Sequence, residues 1–177
     1  MHRCLVTTED LLADTCALDR KAARHLQTVL RVRPGDSIML FDGHGRTRAV
    51  TVSAADRNGL VLTADAPVRE QPRPACALTL FACVSKGARM EWAVEKATEL
   101  GAVRIVPVLS AHTVSRPAEA TRWRRIAEEA ARQCGAAWLP TITDPLAFDV
   151  ALALAAQIRP LFVAALTPEA RPLRDAL

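Results

Sequence analysis

The second half of the chain alternates between apolar segments and helical patterns, and this alternation constrains the fold more than any other feature. The run 78–84 reads as a buried strand, and the helical pattern of 88–100 follows it at once. Gly101 stands where glycine commonly ends a helix. A second strand pattern at 104–109 leads, after a loop, into a helix that ends near Cys134. Strands that alternate with helices predict βαβ units and a parallel sheet.

Spacing along these two helices predicts their buried faces. Near the C-terminus we expect a short strand at 141–143, a short helix over 149–157 and a third apolar strand over 160–166. Trp92, Trp123 and Trp138 are interpreted as core or interface anchors. The predicted stripes are Met90, Ala93, Val94, Ala97 and Leu100 on the first helix, and Trp123, Ile126, Ala127, Ala130, Ala131 and Cys134 on the second.

The first segment of the chain contains several short strand patterns and one helix. A strand is expected at 3–7, and Asp19 can cap a helix that runs to about Leu30. Pro34-Gly35, Gly43-His44-Gly45 and Asn58-Gly59 are turn signals, and they bound the strands predicted at 37–42, 47–52 and 60–63. Short strands in such a compact segment suggest a small β-barrel.

Two prolines and three charged residues in 69–74 bar a regular element, so a linker is predicted at 71–76. It divides the chain into domains 1–70 and 77–177, and the predicted fold class is α/β plus a small β-barrel.

Composition narrows the class of protein further. No apolar run approaches the ~20 residues that span a bilayer, and Glu9-Asp10 follow too early for a signal-peptide core. We therefore expect a cytoplasmic protein without a membrane partner. The five cysteines show no C-x-x-C spacing and the four histidines are scattered, so no metal site or disulfide framework is expected.

Positive charge is clustered although the net charge is only +4. Residues 19–33 carry five cations and one acid, which suits a phosphate backbone. A solvated helix face explains the same cluster, and composition alone favours that reading. A second cluster, diluted by three glutamates, consists of Arg116, Arg122, Arg124, Arg125 and Arg132.

The turn 85–87 joins the first buried strand to the first helix, and it is not a P-loop. In open α/β sheets, ligands bind where strands end and helices begin. Lys86 and Arg89 could hold a nucleic-acid phosphate there, or they could be ordinary solvated cations. Glu91, Glu95 and Glu99 are interpreted as a solvated helix face rather than an acid/base pair.

Five blocks of sequence resemble one family. They are H-L-x-x-V-L-R-x-R-P-G-D at 25–36, L-F-D-G at 40–43, S-K-G-x-x-M-E-x-x-V-x-K-x-x-E-L-G at 85–101, I-x-P-x-x-S at 105–110 and R-W-x-x-I-A-x-E-A-x-x-Q-C-G at 122–135. In this order they are similar to bacterial 16S rRNA (uracil-N3)-methyltransferases of the SPOUT class.

The resemblance implies an N-terminal PUA-like barrel that grips RNA, followed by a SPOUT-type parallel α/β domain that dimerises. It implies S-adenosyl-L-methionine as cofactor and N3 of one uridine in 16S rRNA, within the small ribosomal subunit, as the methylated atom. The RNA-binding residues expected on this basis are Arg31, Arg33, Lys86, Arg89 and Arg116. Leu166 and Thr167 are expected near the cofactor, and no catalytic base is assigned.

The sequence departs from the family at two places. Family members continue into a G-P-E-G-G turn and an L-R-T-E-T segment that form the knot and most of the cofactor pocket, whereas this sequence ends at Leu177. The SPOUT-type domain is therefore expected to be incomplete. Ala136 also stands where the family usually carries arginine. Two interpretations stay open: a methyltransferase that needs a further C-terminal segment, and an RNA-binding module or inactive remnant.

Overall fold

The computed structural model describes residues 2–28, 30–57, 59–111, 113, 120–164, 167–168 and 170–175. The N-terminal domain, residues 2–70, is a six-stranded mixed sheet with two helices. Its strands follow the order β1-β3-β4-β5-β2, and β6 pairs with β4; β1 and β3 are parallel and the other pairs antiparallel. The elements are β1 (His2–Leu5), α1 (Thr8–Leu12), β2 (Thr15–Asp19), α2 (Arg20–Thr28), β3 (Ser37–Phe41), β4 (Arg46–Ala55), β5 (Gly59–Ala64) and β6 (Arg69–Glu70).

Alternating side chains build the core of the N-terminal domain. On β2, Cys16 and Leu18 are buried while their neighbours are exposed. Helix α2 covers the sheet with Ala23 and Leu26, and its first turn is capped because Asp19 Oδ1 accepts the N–H of Ala22 at 2.8 Å. The predicted helix and the strands around it are confirmed, whereas α1 and β2 were not expected from the sequence.

The C-terminal domain, residues 79–175, is a parallel sheet with helices, as the alternation predicts. Strand β8 is central: β7 pairs along one side, and two short strands share the other side. All four strands run parallel. The elements are β7 (Thr79–Cys83), α3 (Ala88–Glu99), β8 (Arg104–Leu109), α4 (Ala120–Cys134), β9 (Thr141–Ile142), β10 (Leu146–Ala147), α5 (Phe148–Ala155) and a 3₁₀ turn at Leu173–Asp175.

The second hydrophobic core lies between this sheet and its two long helices. Met90, Val94 and Ala97 are buried on α3, and Trp123 is the largest buried side chain of α4. The prediction that Leu100 is buried on the same stripe is wrong. Its side chain is 81% exposed, because α3 ends at Glu99 and Leu100 is already the C-cap. None of the described helices is long and apolar enough to cross a bilayer.

The prediction of a third apolar strand at 160–166 is also wrong. Residues 161–164 are not in a strand, and Val163 is 76% exposed. Instead, Leu146 and Ala147 form a strand that was not predicted and occupy the edge of β8 beside Val108 and Leu109. Residues 165–166, like Asn58 of the hairpin signal, lie outside the described residues.

Candidate nucleic-acid interface

Three helices, α3, α4 and α5, begin at the edge of the parallel sheet where its strands end, which we name the carboxyl edge. Strands β7 and β8 end there at Cys83 and Leu109, and α3 and α4 start at Ala88 and Ala120. Because helix N-termini carry partial positive charge, this edge attracts anions. It is also the edge at which open α/β sheets bind their ligands.

Lys86 and Arg89 lie at the carboxyl edge, and both are exposed. Among the residues described, no carboxylate lies within salt-bridge distance of either side chain. Gly87 between them is the N-cap of α3 and has φ +67°, a conformation that favours glycine. No described side chain caps this helix, so its first N–H groups are available to an anion.

The second basic cluster is largely neutralised by carboxylates. Arg125 is exposed, and within the described part of the chain it has no carboxylate partner. Arg116 lies outside the described residues. The paired members are Arg122 with Glu91 at 2.6 Å, Arg124 with Asp144 at 3.0 Å, and Arg132 with Glu129 at 2.7 Å.

The acidic face of α3 is an ion-pair network rather than a free pair of carboxylates. Lys96 Nζ lies 2.7 Å from Glu95 and 2.9 Å from Glu99, while Glu91 contacts Arg122 on α4. Each carboxylate therefore already has a cationic partner. This arrangement agrees with the solvated helix face predicted from the sequence.

Arg31 and Arg33 follow α2 in the loop that leads to β3, and both are exposed. Arg31 has φ 54°, an uncommon conformation for a residue with a side chain. The loop is fixed by its backbone: the Arg33 N–H donates to Asp36 Oδ2 at 2.7 Å, and the Gly35 N–H donates to the Val52 carbonyl at 2.8 Å. Neither guanidinium is paired with a described carboxylate, so both can bind phosphate.

The structure thus places the predicted RNA-binding residues on two separate domains. Among the described residues, no hydrogen bond or ion pair joins the Arg31–Arg33 loop to the Lys86–Arg89 turn. Of the two residues expected near the cofactor, Leu166 lies outside the described residues, and Thr167 is exposed.

A cavity of about 840 Å³ lies at the junction of the two domains, and none of the predicted RNA-binding residues lines it. The wall formed by the C-terminal domain includes Val103, which directly precedes β8, and Thr141, which begins β9. This junction cavity therefore faces the amino edge of the parallel sheet, opposite the carboxyl edge. Its N-terminal wall includes Leu5, Asp10 and His44.

Backbone hydrogen bonds fix the junction beside this cavity. The Gly45 N–H donates to the Ala137 carbonyl at 3.0 Å, and the Leu139 N–H donates to the Gly43 carbonyl at 2.9 Å. His44 and Trp138 form a β-bridge between them. A Cβ on Gly45 would come closer to the Trp138 ring than carbon atoms can approach, so the glycine permits the domains to dock.

Arg3 joins β1 to the end of α4. Its Nη2 donates to the Ala136 carbonyl at 3.0 Å, and its guanidinium lies 5.0 Å from the Phe41 ring centroid. Burial lowers the pKa of Arg3, while the nearby Cys134 opposes that shift. A cation at the C-terminus of a helix is favourable because the exposed carbonyls there carry partial negative charge.

Asp42 organises the loop that docks. Burial alone would raise its pKa, but hydrogen bonds from the His44 and Arg46 N–H groups and from the Thr8 hydroxyl outweigh burial, and the pKa is lowered. The carboxylate therefore stays charged and holds the chain between β3 and β4. Sequence reasoning read this segment only as a turn, and its Gly-x-Gly pattern at 43–45 was the available signal.

Residues 18–65 match the family model of an RNA methyltransferase PUA domain, and residues 71–175 match that of an RNA methyltransferase domain. Each match covers one of the two domains described above. The fold and the carboxyl edge thus define a PUA-type domain joined to an RNA methyltransferase domain.

Relatives identify the family more closely. The ribosomal RNA small subunit methyltransferase E of Synechocystis sp. is 34% identical over 150 residues, covering 83% of this chain and 48% of that protein. The Mycobacterium bovis protein of that name is 34% identical over 151 residues, covering 77% and 55%. The Neisseria gonorrhoeae protein of that name, in a crystal structure bound to S-adenosyl methionine, superposes with a TM-score of 0.75 at 28% identity, covering 86% of this chain and 64% of that one.

This chain belongs to the ribosomal RNA small subunit methyltransferase E family, a family of methyltransferases. It spans about half the length of the curated relatives that it matches, 48% and 55%.

S-adenosylmethionine, the cofactor that the resemblance implies, requires a pocket that encloses it. Ligand pockets usually bury most of the ligand surface. Leu161, Phe162, Val163 and Thr167 are all exposed, and the junction cavity lies at the other edge of the sheet. The described part of the segment expected near the cofactor is therefore exposed rather than enclosed.

Proposed function

We propose that this chain is part of an S-adenosylmethionine-dependent methyltransferase that modifies N3 of a specific uridine in 16S rRNA, in the cytoplasm and as a homodimer. The observation that carries the proposal is the match of both domains, in order, to the two domains of an RNA methyltransferase family. The unpaired cations at the carboxyl edge support it, because phosphate is the ligand they suit.

The role proposed for Lys86 and Arg89 is to bind the RNA backbone beside the reacting base. They are exposed, have no described carboxylate partner, and stand next to uncapped N–H groups of α3. These donors together suit a phosphate group. Arg31 and Arg33 are proposed to bind a second part of the RNA, and Arg116, which precedes α4 in the sequence, is proposed to bind RNA as well.

Chemistry at N3 has two requirements. The cofactor supplies an activated methyl group, and the N3 proton must leave to a general base or to water. Holding the two reactants in line could contribute up to about 7–11 kcal/mol towards lowering the barrier. The described carboxylates of the carboxyl edge include paired ones, such as Glu91, and the exposed Asp149 in the first turn of α5. We assign RNA binding to Lys86 and Arg89 and leave the group that accepts the N3 proton unassigned.

We further propose that the cofactor site, including Leu166 and Thr167, is completed by residues other than those described, and that methyl transfer needs them. Exposure of Leu161, Val163 and Thr167 supports this proposal. Calorimetry of the 177-residue chain with S-adenosylmethionine should then show weak or no binding. Micromolar affinity would contradict this account of the pocket.

A non-catalytic RNA-binding module is the second candidate function. It is favoured by a pattern of exposed cations that suits RNA binding, with no general base assigned among the described residues. Methyl transfer to 16S rRNA by this chain would exclude the second candidate.

Both candidates require RNA binding, which salt dependence tests directly. Replacing Arg31, Arg33 and Lys86 by Ala should lower affinity for transcribed 16S rRNA. The slope of log affinity against log salt should fall by about 0.7–0.9 for each lost phosphate contact. A triple variant of Arg159, Arg171 and Arg174, all exposed on the C-terminal segment, provides the charge-matched control. An unchanged slope in the first variant would remove those three residues from the interface.

A further inference from the structure

Arg73 lies in the segment between the two domains and projects over an aromatic ring. Its guanidinium carbon is 4.9 Å from the centroid of Trp138, a cation–π distance. Trp138 is held in turn by its own donor, because Nε1 bonds to the carbonyls of Gln71 and Pro72 at 3.1 Å each. The ring face that carries Arg73 is therefore fixed in place.

The guanidinium of Arg73 has donors to offer. The residue is exposed, and among the described residues no carboxylate or carbonyl accepts a hydrogen bond from it. Pro72 and Pro74 flank Arg73 and restrict its backbone. Arginine presents five N–H donors in a planar fork that matches phosphate oxygens. A stacked guanidinium on a restrained backbone loses less freedom on binding than a mobile one.

Arg73, Trp138 and His44 line the junction cavity, so a cation, an indole and an imidazole meet there. Two acids also face it. Asp42 already accepts three hydrogen bonds. The Asp10 carboxylate accepts a hydrogen bond from the Thr7 hydroxyl, and the Asp10 N–H donates to the same hydroxyl oxygen. The exposed positive group is thus Arg73. Cations beside aromatic rings are the combination that binds nucleic-acid strands.

We propose that Arg73 binds a phosphate of the RNA substrate at the mouth of the junction cavity, which makes the domain junction an RNA-contact surface in addition to the carboxyl edge. Trp138 is the positioning residue that holds the guanidinium. This inference rests on the proposed function in one respect, that the chain binds RNA. The two surfaces lie towards opposite ends of β7, a strand of five residues that spans about 17 Å, so an RNA that contacts both must extend at least the length of this strand.

The test is binding of in-vitro-transcribed 16S rRNA by the 177-residue chain, measured by fluorescence anisotropy between about 50 and 200 mM KCl. Arg73→Gln keeps a planar group over Trp138 but removes the charge. It should lower the slope of log affinity against log salt by about 0.7–0.9. The affinity gap between wild type and variant should therefore shrink about threefold across that salt range.

Two further variants serve as controls. Arg73→Lys keeps the charge, so its salt slope should match wild type while its affinity falls because the fork and the stacking are lost. Arg171→Gln removes an equal charge from an exposed position of the C-terminal segment, which is not assigned to RNA binding, and should change neither value. Thermal unfolding of each variant should match wild type, because the Arg73 side chain is exposed.

The outcomes separate this inference from the function on which it rests. Salt-dependent binding by wild type with the same slope in Arg73→Gln would overturn the role of Arg73 and leave the proposed function standing. No RNA binding by wild type would overturn both. Slower hydrogen exchange at 71–74 and 136–140 on adding the rRNA supports the contact, and unchanged exchange there counts against it.

Discussion

Gly45 is the position where the docking of the two domains can be tested by a single methyl group. It is buried, has φ +95°, and faces the Trp138 ring at a separation that leaves no room for a Cβ. Trp138 cannot easily move away, since its Nε1 is held by two carbonyls of the segment that joins the domains. Gly45→Ala should therefore strain both the backbone and the junction.

Gly35 provides a matched control for the backbone strain that Gly45→Ala introduces. Its φ is +94°, and a Cβ there would meet nothing within 4 Å. Ala at either position should cost roughly 1–2 kcal/mol for the left-handed conformation. Only Gly45→Ala should add the overpacking cost of about 1–3 kcal/mol. The excess of Gly45→Ala over Gly35→Ala corresponds to about 2–12 °C in melting temperature for a chain of this size.

Urea unfolding of both variants, repeated with Trp138→Ala, measures the clash as a double-mutant cycle. With the indole removed, the excess cost of Gly45→Ala should disappear, while the cost of Gly35→Ala should be unchanged. Equal losses for the two glycines in the wild-type background would refute the steric argument. An excess that persists without the indole would show that something other than Trp138 opposes the methyl group.

Three further predictions concern buried polar groups. Arg48→Lys should destabilise the chain by about 1–3 kcal/mol, because lysine cannot replace the guanidinium bonds to four backbone carbonyls and Asp14; chemical denaturation measures the loss. Asp42→Asn should cost about 1–3 kcal/mol at neutral pH. Because the pKa of Asp42 is lowered in the folded state, its contribution is present above the ordinary value of 3.8 and is lost as pH falls below it, so the variant should show a smaller loss there in acid titration. Burial raises the pKa values of Cys4 and Cys16 to about 11, so stability should fall as pH rises from about 9 to 11. Iodoacetamide at pH 8, followed by mass spectrometry, should first label the exposed thiols, Cys76, Cys83 and Cys134.

The C-terminal domain was largely predictable because its signals are long and local. Strand β8 was predicted with its observed bounds, and α3 and α4 were predicted from stripes that span several turns. The failures came where a segment had no such length. The run 160–166 is apolar, but a strand forms only when it pairs with a neighbouring strand, and the described residues 161–164 have no such partner.

Helix α1 and strand β2 were missed because contacts distant in sequence hold them. A helix of five residues is too short to be stable alone. The Arg48 guanidinium on β4 binds the carbonyls of Leu11, Leu12 and Ala13, which are the unsatisfied acceptors at the end of α1. A sequence pattern shows that an arginine is present at position 48, but not which carbonyls it will reach some 35 residues away.

The candidate site divides in the same way. Lys86 and Arg89 could be placed at the carboxyl edge from the sequence because a strand-to-helix turn is visible there, and that edge follows from the parallel sheet. The junction was missed because it joins a Gly-x-Gly turn, a proline-rich linker and the end of α4, none of which has a periodic signal. Ala136 does contribute there, though through its carbonyl, which any residue could supply.

The docking also determines what the carboxyl edge can receive. The N-terminal domain contacts the amino edge through Gly43, Gly45 and Arg3, so it does not cover Lys86 and Arg89 at the opposite end of β7. The segment 71–74 is bonded to both domains rather than acting as a free tether. The position of Arg31 and Arg33 on the N-terminal domain relative to Lys86 and Arg89 at the carboxyl edge is therefore fixed before RNA binds. A fixed spacing lowers the entropy lost on binding and favours RNA whose own fold presents phosphates at that spacing.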